Sequence, residues 1–140
     1  MRKHYLDYEK TKEVYEYSKP HIEFKQCYNN VFNVVTDYIA TFRSGEWKVA
    51  YGYVEVMSLV YCRHCFIVDE SGKVIDPTIC TNTDPNTDRD YLVMKIFDDI
   101  DEYFTAIERE NYYPALDRTL KENTAAAQKW ANENGVILTG

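Results

Sequence analysis

The chain has 140 residues, 45% of them apolar and 15% aromatic, with 13 tyrosines and a formal net charge of −7. That length suits one domain, 1–140, with a core large enough to fold without disulfide staples. The apolar content excludes a disordered acidic tail. Five glycines and four prolines are too few for a linker or a fibrous repeat. No Lys/Arg run or basic face emerges, which argues against a nucleic-acid partner. The acidic excess falls in residues 84–140 and reads as a solvated helical face. The closest approach to a membrane span, Lys48 to Arg63, is interrupted by Glu55 and falls short of the ~18 apolar residues needed, so no membrane partner is expected. Met1 to His4 leads straight into polar residues with no signal-peptide core, and a cytoplasmic location is expected.

In chain order, residues 5–18 predict an amphipathic helix ended by Lys19-Pro20. A polar connector, His21 to Gln26, leads to Cys27. From Tyr28 onward Val31, Phe32, Val34, Val35, Tyr38, Ile39 and Phe42 fall at gaps of three and four, the stripe of a helix stopped by Ser44-Gly45. Trp47 to Met57 alternates as a strand with a bulge near Gly52. Leu59 to Asp69 is a second strand, Glu70-Ser71-Gly72 a turn, and Lys73 to Asp76 a third strand ended by Pro77. Residues 78–90 predict a loop and Tyr91 to Phe97 a fourth strand. The acids at 98–102 suit the start of a helix, whose dipole favours them. A last helix covers 114–134, with Asn134-Gly135 as its stop. The expected class is α+β, helices flanking a small antiparallel sheet.

Three residues carry the chemical argument. Cys27 stands at a helix N-terminus, where the dipole favours thiolate, the nucleophilic form. His64 lies on the second strand, on the face shared by Val60, Cys62, Phe66 and Val68. If Glu70-Ser71-Gly72 is a three-residue loop with Gly72 left-handed, Asp69 faces Lys73 and Asp76 lies opposite Phe66. That puts Asp76 diagonal to His64 on one face, at about 7–8 Å between backbones. A two-residue loop would turn Asp76 away. Asp76 would then orient His64, and His64 would activate Cys27. The backbone N–H of Cys27 is one oxyanion donor by geometry. Gln26, Asn29, Asn30 and His21 are side-chain candidates, with Gln26 preferred for adjacency, although Asn30 could equally brace the loop. Tyr51 and Tyr53, on the neighbouring strand, are candidates for the border of a substrate cleft.

Each residue also has a plainer reading. Cys27 alone is more often a small buried hydrophobe, His64 a satisfied core residue, and Asp76 a strand-ending turn former. A zinc site from Cys62, His64 and Cys65 with Cys80 or His21 is disfavoured, because on a strand Cys65 points opposite to Cys62 and His64. Cys62 could instead lie near Cys27. No metal or cofactor is expected.

Gln26-Cys27-Tyr28-Asn29-Asn30, Tyr51-Gly52-Tyr53-Val54, His64 through Asp69, and Gly72-Lys73-Val74-Ile75-Asp76-Pro77-Thr78 together resemble a compact bacterial and phage group of papain-like or transglutaminase-like cysteine proteins. The resemblance spans about residues 25–78, and the hairpin element is its specific part. It implies Cys27 as nucleophile, His64 as base and Asp76 as orienter. The order also resembles that of transglutaminases and arylamine acetyltransferases. Cys65 departs from the pattern, which often has a small residue after the histidine, and the C-terminal helical part carries no counterpart. The expected activity is thiol-dependent acyl transfer: hydrolysis of a peptide or isopeptide amide on a protein or peptide substrate, with transfer to an amine as a variant. The alternative is a catalytically idle interaction protein of phage or bacterial type.

Overall fold

In a computed structural model, which describes residues 1–83, 85 and 87–140, a mixed sheet is flanked by helices. Strand β1 (Arg2–His4) is followed by α1 (Tyr8–Ser18), then α2 (Cys27–Asp37) and the short α3 (Ile39–Arg43). Strands β2 (Trp47–Met57), β3 (Val60–Asp69) and β4 (Val74–Ile75) follow. After a 3-10 turn at Pro77–Thr81 come β5 (Tyr91–Ile96), α4 (Ile100–Glu108), α5 (Asp117–Asn134) and β6 (Ile137–Thr139). The sheet order is β1-β5-β2-β3-β4, antiparallel throughout, with β6 added parallel to β3 at Val60–Cys62. Among the described residues no helix is long and apolar enough to cross a membrane.

The α+β expectation holds, and the departures have local causes. The first helix begins at Tyr8 because the Asp7 carboxylate caps it, accepting from Lys10 N at 3.0 Å. The helix expected to run on to Phe42 breaks at Tyr38, which leaves helical geometry (φ −120°, ψ 33°) while its ring packs against Tyr17 and Trp47. The last helix starts at Asp117 rather than 114, since Leu116 is left-handed (φ 59°). Strands β1 and β6 and the turn at Pro77–Thr81 were not among the expected elements. Each is three to five residues long, too short for an apolar period to show.

Two glycines fix the sheet. At Gly52 the β2–β5 register shifts, and a Cβ there would lie 1.9 Å from the Leu92 carbonyl oxygen, so only glycine fits. Gly72 has φ +85° and closes the β3–β4 turn; Asp69 N donates to Lys73 O at 2.9 Å, and Val68 and Ile67 pair with Val74 and Ile75. That is the register of the three-residue loop. One face of the sheet packs Val49, Tyr51, Cys65 and Ile67 against Val31, Val34 and Val35 of α2 and against α4. On the other face Ala50, Val54, Phe66, Val68, Val74 and Tyr91 form a second cluster.

Candidate active site

Cys27 is the first residue of α2 and is half-buried. No side chain caps that helix, so the N–H groups of its first turn have no acceptor of the helix's own. The preceding segment is held by Asn30, only 1% exposed. Its Nδ2 donates to Glu23 O (2.8 Å) and to Thr78 Oγ1 (3.0 Å), and its Oδ1 accepts from Glu23 N (2.9 Å). One buried amide thereby ties the loop before Cys27 to the turn after β4. Every hydrogen-bonding group of that side chain's nitrogen is in use, so Asn30 has no donor left for an oxyanion. It braces the site.

The β3–β4 register brings Asp76 to His64. The imidazole Nε2 donates to Asp76 Oδ2 at 2.9 Å, and Tyr91 OH donates to the same oxygen at 2.7 Å. Asp76 is 2% exposed, its N–H donates to Thr11 Oγ1 on α1 (3.1 Å), and its Oδ1 is buried without a partner. The imidazole also stacks over Phe66 with ring centroids 6.0 Å apart. Burial by itself pushes the His64 pKa down. The charge and hydrogen bond of Asp76 and the proximity of Cys27 outweigh that and raise it from 6.5 to about 10. With Nε2 engaged by the carboxylate, Nδ1 is the nitrogen left for the sulfur.

Cys27, His64 and Asp76 line a single cavity of about 420 Å³. It opens where β3 has β4 against Ile67–Val68 and β6 against Val60–Cys62 on the edge away from β2. Residues of both β3 faces reach it. Arg63 comes from the face that packs on α2, with its guanidinium 5.4 Å from the Tyr28 ring centre and 3.7 Å from Asp117. Opposite His64 on β2 stands Gly52, where the β5 backbone comes too close for any side chain. Two larger grooves elsewhere, one along α1 and one beside the Gly72 turn, each lack either a histidine or a cysteine.

Three expectations about the cleft need correction. Gln26 is exposed, its Oε1 accepts from Asn29 Nδ2 (3.0 Å), and it lines a separate depression with His21 rather than the Cys27 cavity. Tyr51 and Tyr53 occupy odd positions of β2 and so face away from His64. Tyr51 is wholly buried against Tyr28, ring centres 5.6 Å apart, and Tyr53 packs on Tyr61, Leu92 and Ala127. Alternation decided this: β2 pairs Gly52, not Tyr51 or Tyr53, with His64.

Cys62 does line the cavity with Cys27, and Cys65 faces the core with its thiol pKa pushed up, chiefly by burial. Among the described residues no three Cys, His, Asp or Glu side chains converge as metal ligands. Arg63, Tyr91 and Thr11 were not singled out by sequence. Thr11 had a signal, since Thr11, Val14 and Ser18 are the buried positions of α1 at helical spacing. Tyr91 is one of 13 tyrosines and had none. Compared with known protein families, curated proteins and solved structures, the chain matches none of them.

Proposed function

We propose that the protein performs thiol-dependent acyl transfer at Cys27, hydrolysing a peptide or isopeptide amide in a papain-like or transglutaminase-like manner. The observation that carries the reading is one cavity lined by a helix-starting cysteine, a histidine and a carboxylate that grips the far nitrogen of that histidine. An imidazolium at His64, held charged by Asp76, favours thiolate at Cys27. The sulfur attacks the amide carbonyl, forming the S–C bond and an oxyanion. The Cys27 N–H at the uncapped start of α2 suits that oxyanion. His64 Nδ1 then gives its proton to the departing amine as the C–N bond breaks. Water, deprotonated by the now neutral His64, attacks the thioester carbonyl; the C–S bond breaks, releasing the acid and restoring the Cys27 thiolate beside the protonated imidazole. An amine in place of water makes the same chemistry a transfer.

A second reading, an idle domain that binds a protein through this cleft, is favoured by the exposed apolar rim. Phe24 and Val56 line the cavity, and Met57 and Leu59 beside them are 66% and 55% exposed. Iodoacetamide near neutral pH separates the two. The catalytic reading expects alkylation selectively at Cys27, abolished as a selectivity by His64→Ala, and a hydroxylamine-labile acyl adduct on Cys27 after incubation with peptide pools. Equal, slow labelling of all the cysteines contradicts it and favours the binding domain.

A further inference from the structure

The chain is acidic overall, with 23 Asp and Glu against 16 Lys and Arg, yet the walls of the Cys27 cavity carry the opposite sign. Among the described residues lining it, Lys25, Arg63 and Arg89 are cationic. The single carboxylate there, Asp76, is 2% exposed and already committed to His64 and Tyr91. Among the described lining residues, cations therefore outnumber the one, already committed, carboxylate.

Two of these cations are built into place. Arg63 precedes His64 on β3, its guanidinium rests against the Tyr28 ring, and Tyr28 follows Cys27 on α2. Its partner Asp117, at 3.7 Å, is 62% exposed, so that pair is solvent-screened and leaves the guanidinium able to take another anion. Lys25 stands two residues before Cys27 in a left-handed conformation (φ 61°), with Nζ 5.4 Å from the Phe24 ring centre. A left-handed lysine is costly backbone, and here it swings the chain so that residues 24 and 25 both border the cavity.

We infer that this cavity selects a carboxylate-bearing acyl substrate, with Arg63 and Lys25 receiving an anionic group beside the carbonyl that Cys27 attacks. The inference rests on the acyl-transfer reading above and names its substrate class: a peptide with an acidic side chain, or a free terminal carboxylate, next to the scissile amide.

Paired alkylating reagents test it without a known substrate. Iodoacetate and iodoacetamide both form a thioether at sulfur and release iodide, and they differ in charge. The ratio of their rates at Cys27, relative to the same ratio for glutathione, is expected to favour iodoacetate. Arg63→Gln should lower the ratio roughly 3- to 10-fold, the range for one charge several ångströms away in a wet site. Arg63→Lys should retain most of the preference. Lys25→Gln, at an exposed position, should lower the ratio by a smaller factor without risk to folding, and added salt should shrink it in the wild type. Protection against iodoacetamide by an acidic peptide with an amidated terminus points to side-chain recognition. Protection by a neutral peptide with a free terminus points to the terminal carboxylate. Equal protection by a neutral, amidated peptide overturns the inference. So does a ratio equal to that of glutathione, or one unmoved by both charge-removing substitutions. If Cys27 reacts selectively with iodoacetamide but shows no anion preference, this inference fails while the acyl-transfer reading stands. If Cys27 shows no selective reactivity, the acyl-transfer reading itself fails.

Discussion

Two cysteines of this molecule lie near the same histidine and have opposite chemical prospects. Cys65 follows His64 on β3, faces the α2 side and is 0% exposed, so burial keeps its thiol protonated. Cys27 comes from another element, is half-buried, and meets the cavity at the free N–H end of a helix. Proximity in sequence to an imidazole confers nothing, because alternate β3 residues serve opposite faces. What matters is which face the charge pair occupies. His64 and Asp76 put a held charge on one side of the strand, while Cys65 faces the apolar cluster on the other.

The comparison breaks most sharply at Asp76. Asp76→Asn preserves shape and removes the charge that holds His64 protonated. Turnover of any peptide substrate should fall about 10²–10⁴-fold, and selective labelling of Cys27 should slow while Cys65 stays unlabelled. Labelling of Cys27 at the wild-type rate would break the link between carboxylate and thiol. Tyr91→Phe is the next test. It leaves Asp76 Oδ2 with His64 alone, beside an Oδ1 that already lacks a partner. We expect a loss of about 2 kcal/mol in urea unfolding, with Cys27 labelling still selective.

The same pair sets a pH dependence. The folded-state pKa of His64 is raised from 6.5 to about 10. Its contribution to stability is therefore fully present below about 6.5 and lost as pH rises through about 10. Urea midpoints should fall over that window in the wild type and fall less in His64→Gln. Equal slopes in both would mean that the imidazole does not carry charge in the fold. The smallest effect belongs to Cys65→Ala. It should cost about 1 kcal/mol of stability through lost packing and leave Cys27 labelling unchanged.

How far the sequence could be read follows from what each feature depends on. The His64–Asp76 contact was legible because a hairpin with a left-handed glycine has few registers, and each register assigns a face. The Cys27 helix start was legible from its apolar stripe. The border of the cavity was not, because it depends on where β3 loses its strand neighbours, which is set by β4 and β6. Tyr51 and Tyr53 drew attention as aromatics on a neighbouring strand, but the residue paired with His64 is Gly52. Asn30 was expected as either donor or brace, and only its three contacts distinguish these. Arg63 carried no motif, since its importance comes from the Tyr28 ring beneath it.

The central claim is that His64 is a charged imidazolium shared between Asp76 and Cys27. The direct measurement is the ¹⁵N chemical shift of the His64 ring followed against pH in the wild type, Asp76→Asn and Cys27→Ala. The account predicts a ring that stays doubly protonated through neutrality, titrates near 10, and moves to lower pKa in both variants, further for Asp76→Asn. A ring that titrates near 6.5 and ignores both substitutions would contradict it.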